Sequence, residues 1–212
     1  MGEALQTFNT QSRLRWANKM SAAREELEHA IHRGFAHAFG ADIHEYYPLL
    51  SHLNYRQTDC FLGLRFAIKE PLFVEQYLNH PIEQCLSMVA KRSHIAELGN
   101  LFSTGRMATL GHFIVLTQAL LESDVRYLVF TATKQVRALM KLCQVEVNKI
   151  SLAHGTIASA KDYGSYYECA PMVCSVDLQQ ALQVITSTEV YQHLLQGLNV
   201  EVASLKEAFL YV

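Results

Sequence analysis

The segment from residue 94 to residue 133 constrains the fold more than any other part of the chain. It opens with HIAELGNLF, whose alternating side chains are the pattern of a half-buried strand. Residues 106–121 then repeat apolar side chains at helical spacing, with Leu110 and Ile114 among them. The run VRYLVFTAT at 125–133 is almost continuously apolar, which is typical of a central strand buried on both faces. We therefore expect a sheet with helices packed on it.

The other elements predict the same class of fold. Residues 21–39 have the pattern of a helix that Ser21 caps and Gly40 ends. Two strands at 46–53 and 59–68 are joined by a polar turn. Short helices are expected at 72–79, 81–90 and 134–143, a strand at 145–153, and one or two edge strands around Pro171 within 164–176. The order predicts an α/β or α+β domain, a mixed twisted sheet flanked by helices.

Three regions follow from this order. Residues 1–17 are expected to form an irregular arm, residues 18–176 the main domain, and residues 177–212 a helical extension. The extension contains two helical segments, and the second carries an apolar stripe. We expect this stripe to pack on the core or on a second copy in a homodimer.

Composition excludes several classes of function. The 212 residues carry a net charge of −2 and no basic run, whereas a nucleic-acid surface needs clustered Lys and Arg. The histidines do not converge on a metal-ligand spacing, and no pair of the five cysteines forms a CxxC motif, so no metal is expected. A disulfide between Cys169 and Cys174 stays open. The first residues lack the apolar core of a signal peptide, so we expect a cytoplasmic protein, with secretion left open.

The turn STGR at 103–106 is the first candidate site. A strand that runs through a small turn into a helix presents free backbone N–H groups, which attract phosphate or carboxylate. Gly105 permits a tight turn and Arg106 adds a positive charge. The motif is neither GxGxxG nor a P-loop, so on spacing alone an ordinary strand-to-helix corner is favoured.

Polar residues on the neighbouring strands are further candidates. Glu97 lies among apolar residues, where a carboxylate is solvated, paired or raised in pKa. Gly99, which follows it, suggests a bulge or a close backbone approach. Arg65 could point to solvent, or pair with Glu97 if their strands are neighbours. Thr131 and Thr133 end the buried strand, where open α/β sheets bind ligands. Tyr167 belongs to a tyrosine cluster, for which bracing an edge strand is favoured over a role in substrate binding.

Several segments resemble the bacterial thermostable hemolysin family, whose namesake is the delta-type hemolysin of vibrios. They occur in the family's order over roughly residues 30–175, and include RGFAHAFGADIHEYYPLL, PLFVEQYL, ELGNL, YLVFTAT and DYGSYYECAP. That family is similar in turn to the fold of GCN5-related N-acetyltransferases and acyl-homoserine lactone synthases. The resemblance implies an acyltransferase-like domain over 18–176.

The resemblance also implies roles for particular residues. The lactone synthases build their S-adenosylmethionine and acyl-chain site from positions that match Arg33, Phe35, Phe39, Arg65 and Glu97 here. Asn100 stands where those synthases have Arg, and we include it among the catalytic candidates. In the acetyltransferases, backbone N–H groups after the central strand hold the pantetheine arm and pyrophosphate; the matching positions are Leu101, Phe102, Ser103, Thr104, Gly105 and Arg106.

Three hypotheses follow. The first is an acyltransferase-like protein that binds a thioester of CoA or of acyl carrier protein, or an S-adenosylmethionine-type cosubstrate, with Glu97 as base or amine-orienting carboxylate. The second is a membrane-active hemolysin, for which the sequence shows neither an apolar span nor a basic amphipathic helix. The third is a binding protein that has lost catalysis, which the exchange at Asn100 keeps open.

Overall fold

A computed structural model describes residues 13–86, 90–157 and 159–212. These residues form one seven-stranded sheet in the order β1-β2-β3-β4-β5-β7-β6. The parallel pair is β4 with β5, and the other neighbours are antiparallel. The strands are β1 (Leu14–Ala17), β2 (Leu49–Tyr55), β3 (Thr58–Phe66), β4 (Ile95–Ser103), β5 (Tyr127–Ala132), β6 (Asn148–Leu152) and β7 (Met172–Asp177).

Helices cover both faces of the sheet. The α-helices are α1 (Arg24–Phe39), α2 (Ile82–Cys85), α3 (Arg106–Leu121), α4 (Lys134–Leu142), α5 (Leu178–Ser187), α6 (Glu189–Gln196) and α7 (Asn199–Ala208). Four 3-10 segments lie at Phe73–Tyr77, Arg92–His94, Ala160–Cys169 and Phe209–Tyr211. This confirms the predicted α/β class with a mixed sheet flanked by helices.

The predictions hold best around the centre of the sheet. The strand at 94–102, the helix at 106–121 and the strand at 125–133 are confirmed within a few residues. Gly40 ends α1 as predicted, in a left-handed conformation with φ of 62°. The predicted cap is wrong: α1 begins after Ala23, without a side-chain cap, and Ser21 instead closes a turn with Asn18.

Several other predictions differ from the structure. Residues 14–17 are not irregular but form β1, which pairs with β2, while residues 1–12 of the predicted arm lie outside the described part of the chain. Residues 72–79 form only a 3-10 turn, and the helix predicted at 81–90 is limited to α2, with residues 87–89 not described. The segment around Pro171 contains β7, which lies between β5 and β6 and is no edge strand.

The helical extension shares the main core. It contains three α-helices rather than two segments, and its apolar stripe packs against the sheet side that α3 covers. Leu194, Leu198, Val202 and Leu205 are buried in one cluster with residues of α3 and of the sheet. Glu201 accepts a hydrogen bond at 2.9 Å from the backbone of Arg13, just before β1. The predicted packing of the stripe on the core is therefore confirmed.

Candidate functional site

A cleft opens where β4 and β5 part. The two strands pair from Ile95–Leu98 and Tyr127–Phe130, after which β4 continues along β3 and β5 continues along β7. Among the described residues, no strand pairs with β4 on this side beyond Leu98. The cleft has a volume of about 920 Å³ and is walled by α1, α4 and the 3-10 segments as well as by the two strands. Its position matches the edge at which ligands bind to open α/β sheets.

A β-bulge shapes the β4 wall of the cleft. Opposite Phe61 and Gly63 of β3 lie Phe102 and Gly99 of β4, so β4 carries one residue more than β3 within this interval. Asn100 takes up the extra length in a left-handed conformation, with φ of 49°. Such a bulge bends a strand and redirects its backbone groups. Here it turns the stretch after Gly99 towards the gap that β5 leaves.

Tyr47, on the loop before β2, is held against this bulge. Its backbone N–H donates to Asn100 Oδ1 at 2.9 Å, and the Asn100 amide also donates to the carbonyl of Glu45. A Cβ built on Gly99 would lie 2.4 Å from Tyr47 Cζ, so only glycine admits the ring. The close approach predicted at Gly99 is thus confirmed. Asn100 borders the cleft, but its side-chain amide is bonded to the backbone of this loop.

Glu97 is fully buried, and solvent exposure of this strand residue, one of the predicted alternatives, is excluded. Its carboxylate accepts hydrogen bonds from the backbone N–H groups of Phe73 at 2.7 Å and Val74 at 2.9 Å. Burial raises the pKa of Glu97 to about 7, although these bonds and the Tyr47 phenol oppose the rise. Glu97 does not itself line the cleft.

Arg65 lies directly opposite Glu97 in the β3–β4 register, so their strands are neighbours, but the salt bridge considered from the sequence is not formed. Its closest carboxylates belong to Glu70 and Glu45, at 3.3 and 3.6 Å, and its guanidinium lies 4.5 Å from the centroid of the Tyr47 ring. It lowers the pKa of Glu97 through its charge but makes no salt bridge with it. Arg65 therefore supports Tyr47 from outside the cleft.

The buried Glu97 has an expected effect on stability. Because its pKa of about 7 in the folded protein exceeds the ordinary value of 4.5, the native state binds this proton more tightly than the unfolded chain does. The free energy of unfolding should therefore fall as the pH rises through this window, by up to about 3 kcal/mol. Urea unfolding of the wild type and of Glu97→Gln, measured from pH 4.5 to 8, checks this.

The difference between the two proteins isolates Glu97 from other titrating groups. His112 is buried and its pKa is lowered to about 3, which gives a slope of opposite sign, but that slope is common to both proteins. The difference in free energy of unfolding between the wild type and Glu97→Gln should therefore shrink as the pH rises. A difference that stays constant over the whole range would contradict a raised pKa of Glu97.

The turn before α3 is held together by its own side chains. Ser103 Oγ accepts from Thr109 Oγ1 at 2.7 Å and donates to the carbonyl oxygens of Asp59 and Gly105, while Thr104 Oγ1 accepts from the N–H of Asp59. These bonds fasten the turn to the start of β3. The helix begins at Arg106 without a side-chain cap, so its first backbone N–H groups are available to an anion.

Aromatic residues of the segment Ala160–Cys169 form the opposite wall. Tyr167 and Tyr77 share a hydrogen bond of 2.7 Å between their hydroxyls, and Tyr166 donates to Thr131 Oγ1 at 3.0 Å. Thr133 borders the cleft and caps α4. The interpretation of these tyrosines as braces of an edge strand is wrong, because they lie on a 3-10 segment over the cleft.

Most of the predicted residues meet at the cleft. Its lining includes Phe35, Phe39, Asn100, Leu101, Phe102, Ser103, Arg106, Thr131, Thr133 and Tyr167. Thr104 and Gly105 lie in the adjoining turn, outside the lining, and Arg33 is exposed on the outer side of α1. Sequence reasoning missed Tyr47, Phe73 and Tyr77. The glycines at positions 63 and 99, against which Tyr47 packs, were a signal for Tyr47 alone.

Other classes of site find no support in the described part of the chain. It contains no cluster of three or more residues that could hold a metal ion. The five cysteines are free, so Cys169 and Cys174 are not joined. Within the same ranges, none of the helices has the length and apolar character needed to cross a membrane.

Solved structures share this fold. TofI in an apo form is 16% identical, with a TM-score of 0.55, over 82% of this chain and 95% of its own. The structure of the CoA-dependent acyl-homoserine lactone synthase BjaI with SAM and isopentyl-CoA is 11% identical, with a TM-score of 0.55, over 84% of this chain and 89% of its own. FeeM, an N-acyl amino acid synthase from uncultured soil microbes, is 15% identical, with a TM-score of 0.54, over 85% and 99%. At these identities the likeness shows the fold.

A comparison with curated proteins gave no match. The family model described as thermostable hemolysin does match, over residues 17–182, from the end of β1 into α5. With most of its length matched, the chain belongs to the thermostable hemolysin family.

Proposed function

We propose that this protein transfers an acyl group from a thioester to an amine. The observation that carries the proposal is the parting of β4 and β5 beside the bulge, which leaves one wall of a large cleft as strand backbone without a strand partner. An extended ligand with amide groups can use such backbone, and apolar walls suit an acyl chain. The folds of BjaI, a CoA-dependent synthase, and FeeM support the same class of reaction.

The cleft suggests an orientation for the donor. The thioester carbonyl would lie near the backbone N–H groups of Leu101 and Phe102, which would stabilise the oxyanion of the tetrahedral intermediate. The phosphates of CoA would lie at the turn 103–106, against the uncapped start of α3 and the exposed Arg106. The acyl chain would contact the aromatic walls. Glu97 would take the proton that the amine loses.

We select the acyl donors and acceptors for the test from the compounds named for proteins of the same fold. CoA and acyl carrier protein present the same pantetheine arm, so both are candidate carriers. S-adenosylmethionine carries a primary amine and is present in the BjaI structure, while FeeM is an N-acyl amino acid synthase. Both acceptor classes therefore belong in one assay.

The test uses purified protein with decanoyl-CoA and, separately, S-adenosylmethionine or a mixture of amino acids. Free CoA is measured by liquid chromatography, because the protein's own cysteines react with thiol reagents. Amine-dependent release of CoA, with an acylated amine found by mass spectrometry, is the expected result. Binding of decanoyl-CoA without turnover would instead indicate a binding protein, and leakage of dye from liposomes without any thioester would indicate a membrane-active one.

Arg106→Ala should weaken binding of CoA thioesters. A charge-assisted contact with phosphate contributes more than about 1.4 kcal/mol, so the Kd for decanoyl-CoA should rise about tenfold or more. Isothermal titration calorimetry measures this. Lys19→Ala, which removes an exposed charge in the turn before α1, is the control. Equal affinity of both variants would contradict a phosphate site at the start of α3.

A further inference from the structure

The carboxylate of Glu97 is closed off from the cleft. Glu97 is 0% exposed and does not line the cleft, so an amine bound there cannot reach its carboxylate. Tyr47 and Phe73 do line the cleft. Phe73 donates its backbone N–H to Glu97. The ring of Tyr47 packs on Gly99, which lies two residues after Glu97 on the same face of β4, and a hydrogen bond from the Tyr47 phenol lowers the pKa of Glu97. A phenylalanine side chain has no proton that it could exchange with a substrate. The hydroxyl of Tyr47 is therefore a polar group of a cleft residue that also lies next to the carboxylate.

Tyr47 is held in place by contacts with four other residues. Its backbone is bonded on one side to Asn100 Oδ1 at 2.9 Å and on the other to Arg24 Nη2 at 2.9 Å. The ring lies between the Arg65 guanidinium and the bare backbone of Gly99. Four separate contacts thus hold one phenol beside the β-bulge, where the thioester carbonyl is expected.

We propose that Tyr47 is a catalytic residue that carries the proton of the acceptor amine to Glu97. This inference rests on the proposed acyl transfer and names the group through which Glu97 acts in it. Glu97, held by two backbone N–H groups, is then the terminal proton acceptor and does not touch the substrate.

The ammonium form of the acceptor gives one proton to the Tyr47 oxygen while the phenol proton passes to Glu97, which leaves a neutral amine. The amine nitrogen attacks the thioester carbon, the C–N bond forms and the C–S bond breaks. The second proton of the nitrogen goes to the leaving sulfur, which departs as a thiol. Glu97 finally returns its proton to solvent, so no oxidant, reductant or further reactant is needed.

Tyr47→Phe should lower kcat by about 100-fold or more, the range for loss of general base catalysis, with little change in KM for decanoyl-CoA. The rising limb of the wild-type pH profile, set by Glu97 with its neighbours Tyr47 and Arg65, should disappear; Tyr163 also faces Tyr47 and is unchanged. Glu97→Gln should lower kcat by as much as Tyr47→Phe does. The double variant should lower kcat no further than either single variant, since the two residues act as a unit.

Tyr46→Phe is the matched control. Tyr46 precedes Tyr47 and does not line the cleft; its hydroxyl donates to the carbonyl of Ile43. This variant should keep the wild-type kcat and pH profile. A Tyr47→Phe protein that folds cooperatively and keeps both would overturn the role of Tyr47 while leaving acyl transfer standing. A wild-type protein that releases no CoA with any acceptor would overturn the proposed function itself.

A measurement on the unchanged protein covers the case in which Tyr47→Phe does not fold. In mixtures of H2O and D2O, a transfer that moves two protons together gives a curved dependence of kcat on the deuterium fraction, and a single transfer gives a straight line. The relay predicts the curve. A straight line would overturn it.

Discussion

A chain cut after Asp177 is expected not to fold cooperatively. The removed residues supply six large apolar side chains to the main core: Leu178, Ile185, Leu194, Leu198, Val202 and Leu205. Each buried side chain of this size contributes about 1.5–3 kcal/mol, whereas whole domains are stable by only about 5–15 kcal/mol. The buried face of α3 would also be exposed to water. Urea unfolding followed by circular dichroism measures the loss, which should be complete.

Two point substitutions separate lost packing from a generally fragile chain. Leu198→Ala removes a fully buried side chain and should lower the free energy of unfolding by about 2–5 kcal/mol. Val200→Ala, two residues away on an exposed side chain, should change it by less than about 0.5 kcal/mol. Cooperative unfolding of the shortened chain near the wild-type midpoint would show that the extension is a separate unit after all.

Gly99→Ala is expected to damage stability and turnover together. The new methyl group would lie 2.4 Å from Tyr47 Cζ, and the ring cannot retreat easily because Asn100 and Arg24 hold the backbone of Tyr47. Overpacking of this kind costs about 1–3 kcal/mol. A displacement of the phenol by about 1 Å can reduce turnover about 100-fold. Urea unfolding and CoA release measure the two effects.

Gly197→Ala serves as the control for Gly99→Ala. Gly197 has an ordinary right-handed conformation, and a Cβ there would meet its nearest atom at 3.4 Å. We expect no loss of stability at that position, and a small gain is consistent with a less flexible unfolded chain. If Gly99→Ala were as stable and as active as Gly197→Ala, the packing of Tyr47 on the bulge would have no consequence for function.

The sequence predicted the centre of the sheet well because its signals there are local. The alternation before the turn, the helical spacing after it and the apolar run from 125 to 133 all lie within single elements. The position of β7 depends instead on pairing across the sheet, which local pattern does not reveal, so an interior strand resembled an edge strand. The four residues of β1 are too few to show a period.

The candidate site was likewise predicted only in part. The stretch from Asn100 to Arg106 could be predicted only through the family resemblance, since spacing alone favoured an ordinary strand-to-helix corner. Tyr47 could not, since it meets Gly99 and Asn100 only through a contact more than 50 residues away in the chain. Burial of Glu97 likewise results from the Phe73–Tyr77 segment folding over it, and a strand pattern alone leaves exposed and buried carboxylates equally open.

The gap between β4 and β5 also affects the stability of the folded protein. A sheet interrupted at its centre gives up backbone hydrogen bonds that a continuous sheet would make, and water must solvate the groups left over. A ligand whose amides pair with these groups would complete the sheet as a substitute strand. Because it would bind the folded protein and not the unfolded chain, such a ligand would raise the free energy of unfolding by an amount that grows with its concentration relative to its Kd.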